Sequence, residues 1–139
     1  MKNTAEIISL LFFLGALLPP FWGLYMIRLD SKLIINRIFL LLSLALSVWM
    51  LGFAMANSQS TVEVALLWRR FAAIGWTSIF SLILHCFLLI TADSRESTFC
   101  KFRPLLYIPS LILMFVFSFS NKMSAVQYNL IKVDTGWIN

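Results

Sequence analysis

Charged residues are scarce in this sequence. Asp, Glu, Lys and Arg make up 12% of its 139 residues, whereas soluble domains average about 25%. So few charges cannot cover a water-facing surface of this size, and 60% of the residues are apolar. The composition therefore excludes an ordinary soluble domain and predicts a membrane protein whose outer surface contacts lipid.

Motifs that carry chemistry are also missing. The chain has two cysteines, Cys86 and Cys100, without the paired spacing of a metal site or a disulfide framework, and a single histidine. It contains no Gly-rich phosphate loop and no nucleophile–base motif. We therefore expect no metal, no cofactor and no catalytic activity in this chain.

Four apolar runs contain no Asp, Glu, Lys or Arg, and each is a predicted transmembrane helix. About 20 apolar residues cross a hydrocarbon core about 30 Å thick, and the last run is the shortest of the four. The sequence thus predicts an all-α fold, a polytopic membrane helix bundle with four transmembrane helices in a single domain. The predicted spans cover about residues 7–27, 38–56, 71–92 and 105–119.

The lack of charge within the spans also bears on function. Pumps and proton-coupled transporters use ionisable groups near the middle of the membrane to move ions or protons. A stand-alone transporter of that kind is therefore not expected. In the second span, Gly52 and Ala56 lie four residues apart, a spacing that lets a neighbouring helix approach closely.

Residues 122–139 form a tail of different character. Val126, Tyr128 and Leu130 alternate with other residues at a period of about two, which predicts a short strand. Asp134, Thr135 and Gly136 then have the composition of a turn. We expect a short β-like tail at the outer face of the membrane and not a further span.

The positions of Lys and Arg predict the orientation of the helices. The loops at 28–37 and 91–104 hold six of the eleven cations, which predicts that these loops face the cytoplasm. The amino terminus would then lie outside. The net charge of +5 is spread over short clusters beside the spans, without the basic stripe of a nucleic-acid-binding surface. Anionic lipid headgroups are the expected contact, and nucleic acid is not.

Four residues in or beside the third span are candidates for ligand binding. His85 lies within the span, where either a structural hydrogen bond to a neighbouring helix or a role in sensing would explain it; a lone histidine supplies too few ligands for a metal. Arg69 and Arg70 would either anchor the helix among headgroups or capture an anion. Trp76 would either pack against another helix or line a ligand site.

The third span and the end of the tail resemble a known family. The segment from Trp68 to Thr91 is similar to the third helix of the amino-terminal seven-helix membrane region of bacterial sensor histidine kinases, which also precedes some diguanylate cyclases. The tail residues Gly136 and Trp137 resemble the outer-face turn before the fifth helix of that region. The positions in the third span that carry the resemblance are Trp68, Arg70, Gly75, Trp76, Leu84, His85, Phe87 and Thr91.

The resemblance implies a sensory role. It predicts a multi-pass protein of the plasma membrane with its amino terminus outside, followed in the parent receptor by three more helices and a cytoplasmic effector. We expect the chain to be the front part of such a receptor, with the bilayer, the remaining helices, the effector and a second copy as partners. A small oligomeric channel or transporter subunit and a structural membrane partner remain alternatives.

Overall fold

The computed structural model describes residues 2–91, 103–119, 130–133 and 136–138, and 88% of them are helical. Three long helices follow one another: α1 (Lys2–Leu29), α2 (Ile34–Ser58) and α3 (Val62–Thr91). Each is long and apolar enough to cross a membrane. They contain the first three predicted spans and extend beyond them, most of all at the beginning of α3, which precedes residue 71 by nine residues. Ala92 of the third predicted span lies outside the described residues.

Small residues form the interior of this bundle and large apolar residues form its surface. Ala56, Ala65 and Ala72 have no exposed surface, whereas Phe80 is 71% exposed and Leu18 is 63% exposed. Such a distribution would be unfavourable in water, but it is typical of helices that are solvated by lipid and approach one another through small side chains. The fold therefore agrees with the membrane class that the composition predicts.

Helices α2 and α3 approach most closely at two glycines. A methyl group on Gly52 would lie 2.6 Å from the β-carbon of Ala72, and one on Gly75 would lie 2.5 Å from the carbonyl oxygen of Ala45. Because these distances are far below van der Waals contact, the two helix backbones touch at both positions. The spacing of Gly52 and Ala56 correctly predicted a close approach.

Helix α1 continues through Pro19 and Pro20. Pro20 has no N–H, so the carbonyl of Ala16, four residues earlier, lacks its usual helical donor. The hydroxyl of Ser47 in α2 donates to this carbonyl at 2.5 Å. Hydroxyl groups of a neighbouring helix commonly satisfy backbone groups that proline leaves open at membrane depth. The same hydrogen bond fixes α1 against α2.

The fourth apolar run differs from its prediction, and a count of four transmembrane helices is not confirmed. Instead of one helix over residues 105–119, a 3₁₀-helix, η1 (Arg103–Tyr107), leads into a 12-residue helix, α4 (Ile108–Phe119). Pro109 explains the change of winding, because its ring removes a backbone donor at the junction. The segment lies antiparallel to α3, since Leu106 contacts Ser81 and Ser118 contacts Arg70.

The tail contains a small antiparallel sheet. Strand β1 (Ile131–Val133) pairs with β2 (Gly136–Ile138), with Ile131 opposite Ile138. The β-like tail is thus confirmed in its described part, although the strand that was predicted around residues 126–131 lies mostly outside the described residues. The predicted turn residues Asp134 and Thr135 also lie outside them.

Candidate functional site

The four candidate residues do not form one binding site. Arg69 and His85 lie 16 positions apart on the same helix, which corresponds to about 24 Å along its axis. Arg69 and Arg70 lie near the end of α3 that contacts the hairpin of β1 and β2, whereas Trp76 and His85 face the segment of η1 and α4. The contacts of the candidate residues along α3 therefore fall into two separate groups.

Arg69 is buried at the hairpin end. Its side chain is 9% exposed, its guanidinium carbon lies 4.0 Å from the centre of the Phe53 ring in α2, and it donates a hydrogen bond to the backbone carbonyl of Trp137. A stacked guanidinium combines a cation–π contact with directional donors. Arg69 therefore joins α2, α3 and β2, which differs from the exposed headgroup anchor considered from the sequence.

Trp137 makes two further hydrogen bonds with the end of α2 and the link that follows it. Its backbone N–H donates to the Asn57 side-chain oxygen at 3.4 Å, and its indole N–H donates to the Gln59 carbonyl at 3.0 Å. Gly136 precedes it with φ +122°, and a methyl group there would lie 2.9 Å from the Asn57 side chain. Both the backbone conformation and the space require glycine.

An apolar contact supports these hydrogen bonds. Leu130 and Trp137 pack with Ala65 at the beginning of α3, and Leu66 covers the edge of this cluster. The ammonium group of Lys132 lies 5.5 Å from the Trp137 ring and 3.4 Å from the Ser60 carbonyl. The hairpin is therefore docked onto the α2–α3 end of the bundle. Sequence reasoning did not identify Asn57 and Gln59, because the polar loop that contains them gave no sign of a distant partner.

His85 and Trp76 contact the fourth segment. His85 is buried, and its Nδ1 lies 2.6 Å from the hydroxyl oxygen of Tyr107 in η1, with the imidazole tautomer deciding which group donates. This contact agrees with the structural hydrogen bond considered for His85. Trp76 packs against Phe117 of α4, with ring centres 5.3 Å apart. The side chain of Arg70 is partly buried, and its carbonyl accepts a hydrogen bond from Ser118.

Between the His85–Tyr107 contact and the Trp76–Phe117 contact lies a layer of hydroxyl groups that sequence reasoning did not identify. The hydroxyl of Ser110 in α4 lies 2.7 Å from the carbonyl oxygen of Thr77, and the hydroxyl of Ser81 lies 2.7 Å from the carbonyl oxygen of Leu106. The two serine oxygens are 2.5 Å apart. The only sequence signal was the spacing of Thr77 and Ser81, which places two hydroxyls on one face of an apolar helix.

No protein-family model, curated protein or solved structure matches this chain. The resemblance to sensor regions therefore rests on the residues that carry it. Among the described residues, no group of three or more His, Cys, Asp or Glu side chains could hold a metal ion.

Helix α3 is the element that connects the two groups of contacts. It packs against α2, η1 and α4, and through Arg69 it is bonded to β2. The hydrogen bonds that join different elements among the described residues run mostly from side chains to backbone carbonyls, and such bonds can exchange partners without separating charges. A displacement of α3 along its axis would therefore change both the hairpin end and the Tyr107 end.

Proposed function

We propose that this chain is the sensory input region of a bacterial signalling receptor of the plasma membrane. The observation that carries the proposal is the position of α3, which bears most of the family-like residues and contacts α2, the fourth segment and the hairpin. A receptor needs one element that links a stimulus to a distant end of the bundle. α3 has those contacts at both of its ends.

The fourth segment completes a further crossing of the membrane in this proposal. Five 3₁₀ residues at about 2.0 Å each and twelve α-helical residues at about 1.5 Å each reach about 28 Å, close to a hydrocarbon core of about 30 Å. The 3₁₀ winding thus compensates for the small number of residues. The antiparallel contacts with α3 and the docking of the hairpin beside Ser60 agree with a return to the α2–α3 side.

The amino terminus and the hairpin lie outside in this arrangement. The supporting observation is the α1–α2 connection, where Arg28, Lys32 and Arg37 are exposed. Tyr25 and Trp22 are also exposed, about one and two helical turns before Arg28. Aromatic belts mark either surface of a membrane, and basic loop residues are typical of the cytoplasmic one.

Catalysis belongs to an effector in this proposal. The effector would be a kinase or a cyclase of the parent receptor, reached through further helices. The stimulus would change the relative populations of two packing arrangements of α3, and no chemical bond would form or break in this chain. An ion-conducting or transporting role would instead require a hydrated or ionisable path, and the four apolar runs contain no Asp, Glu, Lys or Arg.

Flux measurements separate the receptor from the channel or transporter alternative. The full chain is reconstituted in liposomes loaded with a potassium-sensitive or proton-sensitive dye, with protein-free liposomes as the control. We expect the same leak in both preparations. Flux that rises with the amount of protein, and that a Gly75→Leu variant with disrupted α2–α3 packing abolishes, would overturn the receptor proposal.

A further inference from the structure

The paired serines between α3 and the fourth segment have fewer protons than contacts. Ser81 is 2.7 Å from the Leu106 carbonyl, Ser110 is 2.7 Å from the Thr77 carbonyl, and the two hydroxyl oxygens are 2.5 Å apart. The two contacts with carbonyls have the usual length of an O–H···O hydrogen bond and the contact between the serines is shorter, so each of the three needs a proton of its own. Two hydroxyls supply two protons for three contacts. One of the three contacts is therefore always without a proton.

Three arrangements fill two contacts each. The one with both protons on the carbonyls is unfavourable, because it leaves the two serine oxygens 2.5 Å apart with no proton between them. The other two place a proton between the serines and leave one carbonyl without a serine donor. In the first, Ser81 donates to the Leu106 carbonyl and Ser110 donates to Ser81. In the second, Ser110 donates to the Thr77 carbonyl and Ser81 donates to Ser110. The change between them rotates two hydroxyl groups and moves no net charge, so it is inexpensive even where the surroundings are apolar.

The first arrangement favours the 3₁₀ winding of η1. In a 3₁₀ pattern the donor for the Leu106 carbonyl would be residue 109, and Pro109 has no N–H. Ser81 supplies the missing donor. In an α-helical pattern the Leu106 carbonyl would take the backbone N–H of Ser110 instead, and the hydroxyl of Ser81 would be released.

The two windings differ in length. Converting the five residues of η1 from 3₁₀ to α-helix shortens the segment by about 2.5 Å, because the rise falls from about 2.0 to about 1.5 Å per residue. A span of about 28 Å that can shorten by this amount matches thick and thin bilayers differently. The thickness of the hydrocarbon core would therefore select between the two arrangements.

We propose that Ser81, Ser110 and the η1–α4 junction form a two-state hinge that responds to bilayer thickness. The extended state has 3₁₀ winding with Ser81 bonded to Leu106, and the compact state has α-helical winding with Ser110 bonded to Thr77. This inference rests on the proposed receptor function for its purpose, since it identifies a membrane stimulus. The experiment measures helix packing alone, so its failure leaves the flux test of the receptor unaffected.

Fluorine NMR of the full chain labelled with fluorotryptophan would test the hinge. Trp76 contacts Phe117 of α4, so its resonance reports the position of α4 against α3, and Trp76→Phe assigns it. The chain is compared in nanodiscs of short-chain dimyristoleoyl and long-chain dierucoyl phosphatidylcholine. We expect two positions of the resonance, with the compact state more populated in the thin bilayer and the extended state more populated in the thick one.

Two serine variants should move the resonance in opposite directions. Ser81→Ala removes the donor to Leu106 and should give the compact position in both lipids, whereas Ser110→Ala leaves Ser81 bonded to Leu106 and should give the extended position in both. Ser78→Ala is the matched control, because the Ser78 hydroxyl bonds only to the Ile74 carbonyl of its own helix among the described residues. It should behave as the unaltered chain does.

The outcomes that overturn the hinge are equally specific. One is a Trp76 resonance that is the same in both lipids for the unaltered chain. Another is a shift of Ser81→Ala and Ser110→Ala in the same direction. Ser81→Thr retains the hydroxyl and should keep the response to bilayer thickness. If Ser81→Ala loses the response and Ser81→Thr keeps it, the loss is due to the missing donor. Circular dichroism shows independently whether each variant folds.

Discussion

The guanidinium of Arg69 donates a hydrogen bond to the backbone carbonyl of Trp137, a residue 68 positions later in the chain. This contact joins the third helix to the second strand and buries a cation against the ring of Phe53. Among the described residues, three weaker or uncharged hydrogen bonds also attach the hairpin, from Lys132 to Ser60 and from Trp137 to Asn57 and Gln59. Arg69 provides the buried charged donor among these contacts.

Replacing Arg69 with Gln should release the hairpin. A hydrogen bond from a charged donor contributes about 1.5–3 kcal/mol, so amide hydrogen exchange in residues 131–138 should become faster by about tenfold or more. Lys132→Gln is the control, because Lys132 is exposed and its hydrogen bond is long at 3.4 Å. An exchange rate that Arg69→Gln leaves unchanged, or raises no more than Lys132→Gln does, would contradict the special contribution of Arg69.

Replacing Ser47 with Ala should destabilise the α1–α2 pair only while Pro20 is present. The Ser47 hydroxyl donates a hydrogen bond to the Ala16 carbonyl, which has no backbone donor because residue 20 is proline. An interhelical hydrogen bond in a membrane contributes about 0.6 kcal/mol on average and up to about 1.7 kcal/mol. In a Pro20→Ala background the backbone N–H of residue 20 replaces the hydroxyl. A double-mutant cycle of unfolding free energies measures this coupling, and additive effects would refute the assignment.

Adding a methyl group at Gly75 should separate α2 from α3. The new β-carbon would meet the backbone of Ala45 and Trp49 at 2.5 and 2.6 Å, and neither backbone can move away alone, so a loss of about 1–3 kcal/mol is expected from overpacking. Gly15→Ala is the matched control, because its β-carbon would meet the flexible side chain of Met50 at 3.3 Å. Thermal unfolding in detergent should rank Gly75→Ala clearly below Gly15→Ala.

The hydrogen bond between His85 and Tyr107 should stabilise the packing of α3 against η1. His85→Phe and Tyr107→Phe each remove the contact, and each should cost about 1 kcal/mol of packing stability. Because both substitutions remove the same hydrogen bond, the double variant should cost little more than either single one. Purified protein should contain no zinc. Stoichiometric zinc that is lost in His85→Phe would contradict the structural role.

The long helices were predictable because a run of 20 or more uncharged residues leaves few alternatives. The bounds of α1 and α2 extend a few residues beyond the uncharged runs, since Lys2, Glu6, Arg28 and Arg37 flank the runs without ending the hydrogen-bond pattern. The fourth run was predicted less well. Hydropathy does not distinguish a 3₁₀-helix from an α-helix. The informative residue was Pro109, because its missing N–H interrupts the α-helical hydrogen bonds at the junction of η1 and α4.

The two groups of contacts were predictable only in part. The sequence pointed to His85 and Arg69 as unusual residues of the third helix, but not to their partners. Strands of three residues carry almost no periodic signal, so the docking of Trp137 was not visible. The pairing of Ser81 with Ser110 depends on the register between two helices, which no local pattern specifies. The close approach at Gly52 had a local signal, the spacing of small residues four apart, although that spacing is also common by chance.

The topology of the membrane bundle can be measured most directly with three single cysteines. Cysteine is placed at Ser31, Ser60 or Lys132, with Cys86 and Cys100 replaced by serine, and intact bacterial cells are treated with a membrane-impermeant maleimide. We expect labelling at residues 60 and 132 in intact cells, and labelling at residue 31 only after permeabilisation. Labelling of residues 60 and 132 from opposite sides would contradict the fourth crossing and the docked hairpin, and labelling of residue 31 in intact cells would contradict the proposed orientation.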